Sequence, residues 1–178
     1  MYNLLDINKL QAYDFVNNYS DKELSRIFRK LGEEKLHQEI AEAIVKYRKE
    51  KEIVTTKELS QIIISVYQHR LNTDKEVPWV GKRHPATKVF QALRIEVNGE
   101  LDVLKEVLPQ ATELLAPQGR LAVITFHSLE DRIVKRFFQD LDTKEFKIIT
   151  KKPLRAAPQE LSDNNRARSA KLRVVEKI

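Results

Sequence analysis

Three short strings place side chains capable of holding or orienting a polar ligand close together. His127-Ser128 follows an apolar run, Lys82-Arg83-His84 precedes a proline, and Arg166, Arg168, Ser169 and Lys171 lead into the last apolar run of the chain. An imidazole beside a hydroxyl can hydrogen-bond a base lifted out of its stack, or orient a reactive amine. A serine hydrolase would also need an acidic partner and an oxyanion site, and nothing else in the sequence marks either. Ser128 equally suits the N-cap of the helix that follows, with Asp131 completing a variant capping box, a role compatible with ligand contact. Guanidinium groups match phosphate oxygens in pairs, which makes the Arg166–Lys171 stretch the favoured nucleic-acid contact, with packing on a sheet edge as the alternative. Lys82, Arg83 and His84 suit phosphate too, although His84-Pro85 also reads simply as the start of a helix. Gln91 and Arg94 share a helix face and could meet base edges or a sheet. Arg132, Lys135 and Arg136 read as a solvated face, and His37 and His69 stand alone without a role.

Charge placement sharpens the nucleic-acid reading. The 178 residues carry a net charge of +6, and the last 28 hold eight Lys or Arg against three acids. A clustered basic segment is the footprint of a polyphosphate partner such as RNA, or else a solvated tail. The absence of cysteine excludes disulfides, thiolate nucleophiles and cysteine-ligated metals. No histidine and carboxylate grouping has metal-ligand spacing, so no metal is expected. No apolar run approaches the roughly 18 residues that span a bilayer, and the first ten residues lack the order of a signal peptide, so a soluble cytoplasmic protein is expected.

The elements that must position these residues are mostly helical at first. Ser20 with Glu23, and Thr55 with Glu58, have capping-box spacing ahead of apolar residues at helical intervals, and Gly32 reads as the stop of the first of these helices. A further helix is predicted over 33–49. Asp74, Pro78, Gly81 and Pro85 break the pattern into a loop or boundary. Helices then resume over 86–97 and 100–115, with Asn98-Gly99 as a turn and Pro109 as a potential kink. After Pro117-Gln118-Gly119 the run 121–126 predicts a strand buried on both faces, as in a parallel α/β sheet. A helix over 129–140 and strands over 146–150 and 172–178 complete the pattern, the strands separated by a polar loop of about twenty residues, a length that is usually functional or disordered.

Three segments, His84-Pro85-Ala86-Thr87 with Phe90-Gln91-Ala92-Leu93-Arg94, Phe126-His127-Ser128-Leu129-Glu130-Asp131-Arg132, and Arg166-Ala167-Arg168-Ser169-Ala170-Lys171-Leu172-Arg173, occur in an order and at separations that resemble the bacterial 16S rRNA cytosine-N4 methyltransferases. The resemblance extends back to about Asp14. It implies an α/β class: a partial class I methyltransferase (Rossmann-like) sheet with a mostly α-helical inserted domain. Residues 1–13 would be a remnant of the front half, 14–82 the helical, substrate-recognising insertion, and 83–178 the C-terminal half of the methyltransferase domain. It also implies S-adenosylmethionine as methyl donor, 16S rRNA or the small ribosomal subunit as partner, and an unpaired or flipped cytosine as acceptor.

The same resemblance places the donor site in a front half with a glycine-rich loop. The four glycines here stand at 32, 81, 99 and 119, no two within four residues of each other, so no donor-binding or catalytic residue carries over. The chain alone is accordingly expected to transfer no methyl group. Residues 121–126 would form an exposed edge strand, covered by a missing N-terminal half or by a second copy. The competing expectations are a noncatalytic RNA-binding module and a degenerate gene fragment.

Overall fold

The computed structural model describes residues 10–75, 77, 79–80 and 84–178, and it divides into two compact units, 1–98 and 99–178. Lys82 and Arg83 lie outside the described residues.

The first unit is helical among its described residues: α1 (Ala12–Asn18), α2 (Asp21–Gly32), α3 (His37–Arg48), α4 (Thr56–Leu71) and α5 (Thr87–Asn98). Both capping boxes form as predicted. The Ser20 hydroxyl accepts from the Glu23 N–H while the Glu23 carboxylate accepts from the Ser20 N–H, and Thr55 with Glu58 repeats the exchange. Two orphan amides are satisfied at each helix start. Glu58 also takes Lys51 Nζ at 2.6 Å, and with the Thr55 and Val54 amides this holds its carboxyl down at about 2.

Leu24, Ile27 and Phe28 of α2 are buried against Ile40 and Ile44 of α3, Ile63 of α4, and Val89 and Leu93 of α5. Each contributes about 2 kcal/mol through lost apolar surface. Gly32 ends α2, but the left-handed residue is the next one, Glu33, at φ 49°. Close approach accounts for the glycine: a Cβ there would lie 2.6 Å from the Lys88 carbonyl oxygen of α5. Unpredicted α1 is tied down by polar bonds, the Asn17 amide exchanging hydrogen bonds with both backbone groups of Ile53 and Arg48 donating to the Val16 carbonyl.

The second unit runs α6 (Glu100–Glu113), β1 (Arg120–Thr125), α7 (Ser128–Asp140), β2 (Phe146–Ile148), α8 (Pro158–Asp163), a 3-10 turn (Asn165–Ser169) and β3 (Lys171–Lys177). Gly99 opens it at φ 61°, the turn expected there, and α6 continues through Pro109. The sheet order is β1-β3-β2, with β3 antiparallel to both neighbours. Val134 and Phe138 of α7, Leu108 of α6 and Val175 of β3 form the core.

The expected burial of residues 121–126 on both faces is not met among the described residues. Ile124 and Phe126 are 59% and 55% exposed, because the helices cover one face of β1 and nothing described covers the other. The predicted twenty-residue loop is ordered by its own contacts. Leu154 bridges to Leu172, α8 and the 3-10 turn follow, and Ala167 is buried in that turn.

Candidate functional site

At the carboxyl end of β1 the chain turns into α7 through Phe126 and His127, and the cap is His127 rather than the expected Ser128. The His127 Nδ1 accepts the Glu130 N–H at 3.3 Å, while Glu130 Oε2 accepts the amides of Phe126 at 2.8 Å and His127 at 3.2 Å. Ser128 is already the first helical residue, and a bare imidazole nitrogen does what its hydroxyl would have done. An acceptor at Nδ1 places the ring proton on Nε2, which faces Glu130 Oε1 at 3.3 Å. Glu100, at the start of α6, brings a carboxylate into the same group, with ligand-type atoms of all three residues within 4.8 Å of one another. A cation at Nε2 would have to displace that proton, so the trio is better suited to sharing protons than to holding a metal.

Asp131, expected as the partner of Ser128, instead binds cations from β3. Its carboxylate takes Lys171 Nζ at 2.9 Å and Arg173 Nε at 2.7 Å. Burial alone would raise the Asp131 pKa, but the bonds from Arg173 and Lys171 prevail and hold it below the ordinary aspartate range. Lys171 is therefore engaged in clamping α7 onto the sheet. Arg166, Arg168 and Ser169 stand exposed on the 3-10 turn, and neither guanidinium makes an ion pair with a described residue. The structure thus brings His127, Ser128 and Lys171 to the two elements that meet at Asp131, with the arginines on the turn that feeds β3.

In the helical unit, exposed His84 accepts the Ala86 N–H at 3.2 Å and so shapes the start of α5. It also lines a cavity of about 510 Å³ with Glu34, Leu36, Tyr67, Arg70 and Lys88. Glu34 is 2% exposed and accepts the Tyr67 hydroxyl at 2.7 Å and the Leu36 amide at 3.0 Å. Burial and that carboxylate push the Tyr67 phenol up, keeping it a donor. Gln91 donates to the Leu31 carbonyl at 3.2 Å, joining α5 to the end of α2, and Arg94 is exposed on α5. Sequence reasoning missed Glu34–Tyr67 and Glu100, which meet their partners only through tertiary packing.

Residues 4–178 match the profile of the MraW methylase family. The chain belongs to that family. As a member of the MraW methylase family it is 46% identical to Ribosomal RNA small subunit methyltransferase H of Fusobacterium nucleatum, over 96% of this chain and 56% of the relative. The protein of that name from Persephonella marina is 48% identical over the same shares, and that from Streptococcus mutans 46%. The chain thus spans just over half the length of the curated relatives it matches. Among its described residues no helix is long and apolar enough to cross a membrane.

Proposed function

We propose that this chain is the acceptor-recognising portion of a methyltransferase that moves a methyl group from S-adenosylmethionine to the N4 amine of a cytosine in small-subunit ribosomal RNA, in the cytoplasm. The observation that carries this reading is 46–48% identity across 96% of the chain with relatives named as small-subunit ribosomal RNA methyltransferases. Cytosine N4 as the acceptor atom rests on the resemblance of the three ordered motifs.

The residues present do not fit the donor. Among the described glycines, Gly32 ends a helix, Gly99 starts one and Gly119 lies in the turn before β1, while the β1-to-α7 connection has none. No cradle for a nucleoside can be built from these. The remaining length of the relatives is the place we assign to the donor. Its sheet would add along the unpaired edge of β1, and further elements would cover the face on which Ile124 lies open; a second copy of this chain is the alternative occupant.

On the acceptor side, His127 and Ser128 hold the position at a strand's carboxyl end where ligands of open α/β sheets bind. There Ser128 stands exposed to a base, while His127 Nε2 is buried against Glu130 and orients the turn from within. The cavity beside His84 has the volume to hold an unpaired base. Arg166, Arg168 and Ser169 would take backbone phosphates, as would Lys82, Arg83 and Arg94.

Two measurements test the proposal. Replacing Arg166 and Arg168 with Gln should weaken RNA binding and reduce the slope of log K against log salt by about 1; an unchanged slope removes the turn from the interface. Calorimetric titration of the chain with S-adenosylmethionine should show no binding heat. Micromolar affinity would overturn the assignment of the donor site elsewhere.

A further inference from the structure

We infer that the groove between α2 and the start of α3 is a second phosphate-binding site for RNA, on the helical unit. The inference rests on the reading that RNA is the partner. The groove has a volume of about 340 Å³ and is lined by Asp21, Lys22, Ser25, Arg26, Arg29, His37 and Gln38. Lys22, Arg26 and Arg29 recur at intervals of four and three residues, so they form one row on α2, separated along the axis by about 6 Å and then about 4.5 Å. All three are exposed. A row of cations with that spread meets successive charges of an extended polyanion, and the two guanidinium groups fit phosphate oxygens bidentately.

The floor of the groove adds neutral donors. Ser25 Oγ and His37 Nδ1 are 2.7 Å apart. With the hydroxyl donating to Nδ1, the ring proton sits on Nε2 and gives His37 an N–H for an anion. A nucleophilic serine is excluded by this geometry: no described carboxylate hydrogen-bonds His37, and a hydrolase would need one to orient it. His37 and Gln38 also open α3, whose first amides and dipole favour negative charge.

Four carboxylates limit the site. Asp21 sits on its rim, Glu23 acts on Arg26 along α2, Glu42 accepts from the Gln38 amide at 3.0 Å, and Glu96 of α5 reaches Arg26 at 3.7 Å, a long and half-exposed pair that solvent screens. An RNA phosphate would compete with Glu96 for Arg26. That competition gives the inference a signature that a merely solvated helix face lacks: removing the acid should strengthen binding.

The test uses the full chain and a labelled single-stranded RNA of about 12 nucleotides, within the range that nucleic-acid-binding folds cover. With Lys22, Arg26 and Arg29 all changed to Gln, affinity should fall at least roughly tenfold and the salt slope by about 2, whereas Glu96→Gln should raise affinity roughly threefold. Circular dichroism reports whether the triple variant folds; if it does not, Glu96→Gln decides. The groove is overturned if the parent chain binds with a steep salt slope that neither change moves, and RNA as its ligand is overturned if poly-glutamate of equal charge competes as well as RNA. Failure of the parent chain to bind RNA at all overturns both this inference and the functional reading, whereas loss of slope in the Arg166 and Arg168 variant alone leaves the reading standing and removes the groove.

Discussion

Asp131 takes two cations from one strand, and alternate strand residues explain why it can. Lys171 and Arg173 are two apart on β3, so their side chains share a face, and that face meets the first turn of α7. Removing the acid leaves two partly buried cations without their common partner, so Asp131→Asn should destabilise the fold by about 2 kcal/mol in urea unfolding. The sign of its pH dependence follows from a folded pKa below the unfolded one. Asp131 contributes stability fully above the ordinary aspartate pKa and loses it as pH falls through the lowered folded value. Its window is therefore below about pH 4, and the variant should show a shallower acid limb there; equal limbs would mean the clamp does not form. The period of two between Lys171 and Arg173 was visible in the sequence, but their acid was not, because Asp131 also matched a local capping pattern that His127 and Glu130 satisfy instead.

Elements with local start signals were legible, and those defined by distant contacts were not. The boxes at Ser20 and Thr55 operate within four residues, so spacing alone placed α2 and α4. Short α1 was invisible because Asn17, Ile53, Val16 and Arg48 secure it through bonds across more than thirty residues. Gly32 was seen as a break, yet its requirement is a partner helix. Gly32→Ala puts a methyl against backbone rather than a yielding side chain, so α2 and α5 must separate. A loss of about 2 kcal/mol is expected in thermal unfolding, against less than 1 kcal/mol for an ordinary helix-end change. At β1 the apolar run correctly signalled a strand but not its burial on both faces, because the described helices cover one face alone.

At the scale of the molecule, β1 has both an unpaired edge and an uncovered face carrying Ile124, with exposed Phe126 just past its end, features that favour association. The isolated chain should therefore self-associate at micromolar concentration in sedimentation velocity, and Ile124→Lys with Phe126→Lys should return it to a monomer without shifting its helical signal. A monomer in the unsubstituted chain would remove the face as an interface. The sheet order also bears on how the protein is made. Because β3 lies between β1 and β2, neither earlier strand has a ladder partner among the described strands until residues 171–177 have left the ribosome, whereas every described helix of the first unit has its neighbours within that unit once residue 98 has emerged. Synthesis thus delivers a helical unit able to settle early, followed by a three-stranded sheet that must wait for its middle strand.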